Sequence, residues 1–336
     1  MFGKSIYLSN ISNEITLEYE VEWYFTSLHI SEEFDDSYKE KAIHLLNTLK
    51  KENKKIIVDL SPRALPLLDC KTLKEFAETY SVDYVRVDFG FDEKEIMEAN
   101  SCCGIAVNAS MKPLDCLDSL KNVIAMHNFY PRKETGLDEV YFEKRNVFYK
   151  EKGIPVGAFI SGDQECRGPL YEGLPTLEKH RFLKPYVQFI DLYKKVDFVF
   201  VGDIEITPEQ NQLIQNTIQT NQIYLPVKLD EEYSYLYNQS FTNRIDSPSW
   251  IIRLLESRMY ATKGKIEEVK NTSDRRKGTV TIDNKNYLRY SGEVQVTKED
   301  LPKDEKVNVI GNVVDDYLGL LDCIEGNQKF VFYKAE

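Results

Sequence analysis

Through roughly the first 205 residues, short runs rich in β-branched and aromatic residues alternate with longer segments whose apolar positions recur every three or four residues. That alternation predicts repeated βα units around a parallel sheet. Eight runs stand at 4–8, 22–28, 55–60, 84–89, 104–108, 122–128, 154–160 and 196–201. Between them, 38–49 and 177–193 carry helical spacing, with Leu183, Val187, Ile190 and Leu192 marking one face of the second. Eight parallel strands in one chain close more naturally into a TIM (β/α)8 barrel than they lie as an open doubly wound sheet. The barrel is the predicted architecture, and the open sheet its alternative.

Beyond Pro226 the texture changes. After a Tyr-rich connector, a helix is predicted over 248–256 with Ser247 as its cap, and strands follow. Runs 278–282 and 287–290 flank Asp-Asn-Lys-Asn, and 317–324 and 329–333 flank Glu-Gly-Asn-Gln, which reads as two hairpins of an antiparallel barrel or sandwich. A chain of 336 residues exceeds what one hydrophobic core usually serves. We therefore divide it into a TIM-barrel catalytic domain over 1–227 and a smaller all-β domain over 228–336.

Composition narrows the function. The net charge of -12 argues against nucleic acid or an anionic membrane as the main partner, because both need a cationic surface. No stretch reaches the roughly 18 apolar residues of a membrane span, and 1–9 lacks a long apolar run after a basic start, so a cytoplasmic location is expected. Six cysteines without a C-x-x-C pair predict reduced thiols, and four scattered histidines without H-E-x-x-H or H-x-H predict no metal and no cofactor.

The chemistry of a TIM barrel sits at the C-terminal ends of its strands. Those ends carry Ser9 and Asn10; Thr26, Ser27 and His29; Asp59 and Ser61; Arg86 and Asp88; Asn108 and Ser110; His127, Asn128, Tyr130 and Arg132; Ser161 and Asp163; and Asp203. A carboxylate there faces a crowded mouth that penalises unpaired charge, which suits catalysis; helix capping explains any single position equally well. The loop after the seventh strand, 163–181, is long and rich in Gly and Pro, and it places Arg167, Tyr171 and Glu172 before Thr176, the expected cap of a helix. Arg167 and Glu172 either serve the site or pair with each other as a brace. Two carboxylates across a sugar ring, one protonated and one ionised, supply what glycosidic cleavage needs, and Asp59, Asp88, Glu172 and Asp203 are the candidates. Arg132 or Arg167 could hold a phosphate.

Phe25-Thr-Ser-Leu-His-Ile, Val87-Asp-Phe-Gly-Phe91, Asn108-Ala-Ser110, His127-Asn-Phe-Tyr-Pro-Arg132 with Thr135-Gly-Leu137, and Arg167-Gly-Pro-Leu-Tyr-Glu-Gly-Leu-Pro-Thr-Leu-Glu178 with His180-Arg181 together resemble the 6-phospho-N-acetylmuramidase family of glycoside hydrolases. The resemblance implies a barrel joined to a C-terminal cyclophilin-like β domain, and a substrate in which N-acetylmuramic acid 6-phosphate is linked to N-acetylglucosamine, met in the cytoplasm during recycling of cell-wall peptidoglycan. Ser31 and Lys133-Glu134 stand where that family often has Pro and Pro-Tyr, both in rim loops.

On this basis Glu172 is expected to donate the leaving-group proton and Asp88 to act on the sugar as nucleophile, base or orienter of the acetamido group. Ser27, His29, Asn108, Asn128, Tyr130 and Tyr171 are expected to hold substrate, and Arg132 and Arg167 its phosphate or lactyl carboxylate. The expected partner is this small phosphorylated disaccharide, with no nucleic acid and no membrane; the C-terminal domain would cover the barrel or form a homodimer. The rivals are a lactyl-ether lyase or other phosphosugar enzyme, and a non-catalytic sugar-phosphate binder, against which the several strand-end carboxylates argue.

Overall fold

The computed structural model describes residues 1–11, 15, 17–18, 20–259 and 266–335. Parallel strands β1 (Phe2–Ser5), β2 (Trp23–Ser27), β3 (Lys55–Leu60), β4 (Tyr84–Val87), β5 (Gly104–Asn108), β6 (Val123–Met126), β7 (Val156–Ile160) and β8 (Phe198–Val201) close in sequence order into a TIM barrel. Closure is made by β1 against β8, with Lys4 opposite Val201. The expected runs at 55–60 and 104–108 coincide with β3 and β5, and β1 begins earlier than its run, at Phe2.

The barrel is filled by inward aromatic side chains. Phe25, Phe159 and Phe200 are fully buried, and the Phe25 and Phe159 rings meet edge to face at 5.1 Å between centroids. Gly3 makes room for this layer: a Cβ there would lie 2.4 Å from the Phe200 ring and 2.8 Å from the Trp23 carbonyl oxygen. Gly3→Ala is therefore expected to lower stability by about 1–3 kcal/mol, as overpacking does, read from chemical denaturation midpoints.

Some of the helices between the strands are capped by short polar side chains. Asp92 and Glu95 form a reciprocal capping box at Glu93–Ala99, and Asp138 accepts from the Tyr141 N–H at the start of Glu139–Glu151. The helix expected over 177–193 is shorter. A 3-10 turn, Glu178–His180, precedes an α-helix, Pro185–Tyr193, whose opening proline fits a first helical turn, where its missing N–H costs nothing. Thr176 is not a helix cap: its Oγ1 accepts from the Phe159 N–H at 2.9 Å and donates to the Asn128 carbonyl at 2.9 Å, sewing the seventh loop onto the strand ends.

By its internal contacts the chain divides into the units Met1–Thr207 and Pro208–Glu336. The helix Pro208–Thr220 and strand β9 (Ile223–Leu229) belong to the second unit, because β9 is hydrogen-bonded within its sheet. That sheet also contains β10 (Ser240–Thr242), β11 (Ile251–Arg253), β12 (Thr279–Asp283), β13 (Val294–Thr297), β14 (Val307–Val313) and β15 (Lys329–Lys334), in the order β10-β15-β9-β14-β12-β13-β11. It is mixed rather than purely antiparallel, since β15 runs parallel to β9.

Three local expectations are corrected in this unit. The helix expected over 248–256 is replaced by β11, antiparallel to β13, and Ser247 accepts from Asn243 instead of capping. Residues 287–290 lie in a 3-10 turn, Lys285–Tyr290, begun by the Asn284 side chain accepting from the Asn286 N–H, so the partner of β12 comes later, as β13. Residues 317–324 fold as two short helical turns, Asp315–Tyr317 and Leu320–Cys323.

Candidate active site

Polar side chains collect at the C-terminal ends of the barrel strands. Asp59, at the end of β3, is fully buried and accepts from Ser27 Oγ at 3.0 Å, from Arg86 Nη1 at 3.0 Å and from His29 Nδ1 at 2.9 Å. Burial opposes ionisation of Asp59, but the Arg86 charge and the bonds from His29 and Ser27 outweigh it and hold the carboxyl below the ordinary range. The same contact acts on the imidazole, whose pKa is raised by its hydrogen bond to Asp59 against the opposing effect of burial. His29 spends Nδ1 on Asp59 and Ser27, leaving Nε2 on the opposite edge of a ring that lines the cavity described below.

Asp88 follows β4. Asn108 donates to it from Nδ2, and Arg86 Nη1 stands 4.0 Å from its other oxygen. Arg86 also donates from Nη2 to Asn128, while its buried Nε has no hydrogen-bond partner among the described residues. Asn108 combines both readings of a strand-end amide, since its Oδ1 accepts from the Ser110 N–H at 2.8 Å as a turn former while Nδ2 orients Asp88.

These groups open onto one cavity of about 440 Å³, within the range of small-molecule sites. Of the expected residues, Ser27, His29, Asp59, Asp88, Asn128 and Arg167 line it. Arg167 lays its guanidinium 4.4 Å from the centre of the Tyr7 ring and has no carboxylate partner among the described residues. A smaller hollow of about 330 Å³ shares Arg167 and Glu32 with the cavity and is lined by Tyr171.

The remaining expected residues lie elsewhere. Glu172 is outside the cavity lining, and it pairs with Lys133 at 2.7 Å, not with Arg167. Asp203 is fully buried and accepts the backbone N–H groups of Gly162, Arg167 and Leu174 at 2.8, 2.9 and 2.9 Å, so it braces the seventh loop. Burial pushes its carboxyl up, and the three donors pull the other way. An amide would turn an N–H toward at least one of these donors. Asp203→Asn is thus expected to cost about 1–3 kcal/mol and to speed proteolytic nicking within 163–176, measured by urea denaturation and limited digestion. Arg132 is exposed and Tyr130 half-buried, and neither lines the cavity.

Their stretch of chain is held from behind by Arg181. Its Nη1 donates to the carbonyls of Tyr130, Glu172 and Gly173, and Nη2 to that of Arg132. Glu178 binds the same guanidinium at 2.7 and 2.6 Å and accepts the N–H groups of Glu134 and Gly136. These bonds, the one from Arg181 first, bring its carboxyl down to about 2.

Three titratable cavity residues were outside the expected set. Arg86 and His127 were visible as strand-end residues; His127 forms part of the wall, tied to Asn146 at 2.9 Å, with burial lowering its pKa to about 4. Glu32 sits in the 3-10 turn Ser31–Glu33, where no periodicity marks it. Among the described residues, no group of three or more His, Cys, Asp or Glu side chains could hold a metal, and no helix is long and apolar enough to cross a membrane.

The chain is similar along nearly its whole length to two crystal structures. One is of a conserved protein of unknown function from a locus in Enterococcus faecalis, at 33% identity and a TM-score of 0.84, covering 99% of this chain and 96% of that one. The other is of an uncharacterized B. cereus protein, at 26% identity and a TM-score of 0.79, covering 100% and 99%. No curated protein matches. The N-terminal model of the 6-phospho-N-acetylmuramidase family matches residues 2–216 and its C-terminal model residues 223–333. With both family models matched in order across nearly all of its length, the chain belongs to the 6-phospho-N-acetylmuramidase family.

Proposed function

We propose that the barrel is a glycosidase that releases N-acetylglucosamine from N-acetylmuramic acid 6-phosphate in a phosphorylated cell-wall disaccharide, in the cytoplasm during peptidoglycan recycling. The observation that carries this reading is one cavity in which the Asp88 carboxylate, the His29–Asp59 pair and a guanidinium without a carboxylate partner, Arg167, are all present. Arg167 is suited to an anionic substituent, since a guanidinium offers paired donors to phosphate.

Asp88, oriented by Asn108, acts at the anomeric side of the sugar as nucleophile, base or orienter of the acetamido group. The proton for the leaving oxygen comes from His29. Asp59 holds its Nδ1–H, stabilises the imidazolium and leaves Nε2 to donate. Glu172, the donor expected from sequence, is paired with Lys133 and is assigned to the rim.

The test is incubation with the phosphorylated and unphosphorylated disaccharide, with products identified. Release of N-acetylglucosamine from the phosphorylated form alone supports the reading; release of lactate instead overturns it. His29→Gln is expected to lower kcat by about 10²-fold or more while Glu172→Gln stays within a few-fold of the parent, and the reverse order returns the proton to Glu172. Arg167→Leu is expected to raise KM chiefly, and an unchanged KM would remove it from anion binding.

A further inference from the structure

The second unit contains a cavity of its own, of about 660 Å³, larger than the one in the barrel mouth. One side is aromatic. Trp250, just before β11, is 65% exposed although it lines the cavity, and Tyr287 and Tyr290 meet it from the 3-10 turn after β12, their rings perpendicular with centroids 6.4 Å apart. Between those tyrosines Leu288 takes φ 54, ψ −116, a conformation an L side chain rarely adopts.

The other side is polar and buried. Asp283, at the end of β12, accepts from Gln295 Nε2 at 3.0 Å through Oδ2, and Glu293 accepts from Arg253 Nη2 at 2.6 Å through Oε2. Both residues are about 4% exposed, and Asp283 Oδ1 and Glu293 Oε1 have no hydrogen-bond partner among the described residues, although Arg258 Nε stands 3.9 Å from the latter, too far to donate to it. Buried acceptors are ordinarily satisfied, so two orphans beside a cavity point to donors supplied by something that enters it.

The charges select among ligands. Arg253 is matched by Glu293, and Arg275 turns Nε and Nη2 to the Pro302 carbonyl at 3.0 and 2.8 Å, so the buried wall presents carboxyl oxygens rather than an open guanidinium fork, and the Glu293 charge would repel a phosphate. A cation would suit the rings but not the two arginines. Burial and the like charge of Glu293 push the Asp283 carboxyl up to about 7, so near neutrality it offers a donor as well as acceptors. What remains is a neutral molecule with a flat apolar face and hydroxyls on its edge. We infer that this cavity is a binding site for an uncharged pyranose, stacked on Trp250 and Tyr290 with its hydroxyls donated to Asp283 and Glu293. Every residue that lines it belongs to the second unit.

The chain has two tryptophans, and the other, Trp23, is 6% exposed in the barrel core, so emission changes report on Trp250. Titrating the full chain with N-acetylglucosamine and with cellobiose is expected to give a saturable change in fluorescence with at least one of them, absent in Trp250→Phe. Its midpoint should rise about tenfold in Asp283→Asn and in Tyr290→Ala, the second a partly exposed residue whose loss leaves the fold in place. The site is overturned if neither sugar gives a saturable change, if the response persists in Trp250→Phe, or if both variants keep the parental midpoint. Saturation by tetramethylammonium or glucose 6-phosphate in preference to the neutral sugars overturns the ligand class.

Discussion

Asp88→Asn is expected to lower kcat on the phosphorylated disaccharide by about 10²- to 10⁴-fold while leaving the protein folded. The change keeps the side chain's shape beside Asn108 and removes the negative charge that faces the sugar. Because Asp88 is partly exposed and its main partner is a neutral amide, its loss strands no buried charge. Steady-state kinetics with a denaturation midpoint close to the parent's is the required pair of results. Turnover within a few-fold of the parent would remove Asp88 from the reaction and leave the carboxylate role to Glu32, the other acid on the cavity wall apart from the buried Asp59.

Asp59→Asn is expected to act on both stability and pH dependence. Removing its charge leaves the Arg86 guanidinium buried with a weaker set of partners, a change that typically costs about 3–5 kcal/mol. The signs are opposite for the two partners. The Asp59 carboxyl is held below its ordinary value of about 3.9, so its contribution is present above that pH and lost as pH falls through the folded value. His29 is raised above its ordinary value of about 6.5, so its contribution is complete below that pH and lost as pH rises through the folded value. In the variant the His29 titration, followed by NMR, is expected to move to lower pH, and the alkaline limb of kcat with it. An unmoved histidine would separate it from Asp59 as the source of the proton.

Much of the barrel was legible because its signal is periodic. Buried parallel strands read as continuous apolar runs, and β3 and β5 fell where those runs lie. The second unit was less legible for the same reason. The Tyr287–Tyr290 stretch carries the residues of a strand, yet Asn284 turns the backbone and Leu288 breaks it; Tyr317 and its successors likewise carry strand-like residues but make helical turns. At Asn284, local side-chain hydrogen bonding overrode composition.

Within the site, side chains rooted directly on strand ends were readable, since the barrel converges them whatever the loops do: Ser27, Asp59, Asp88 and Asn128 follow that rule. Direction was not readable for residues on loops. Glu172 and Arg167 share one loop, yet one joins Lys133 at the rim and the other lies on Tyr7 in the cavity, an outcome set by the three N–H bonds to Asp203 and the carbonyl bonds to Arg181.

The clamp made by Arg181 has a bearing on how a ligand reaches the barrel. One guanidinium fastens four carbonyls from the sixth and seventh loops, and its counter-carboxylate fastens two amides more, so that half of the rim cannot hinge piecewise. To an entering ligand it is a fixed doorpost, whereas the Ser31–Glu33 turn, which brings Glu32 to the cavity lining, is fastened by none of these bonds from Arg181 and Glu178.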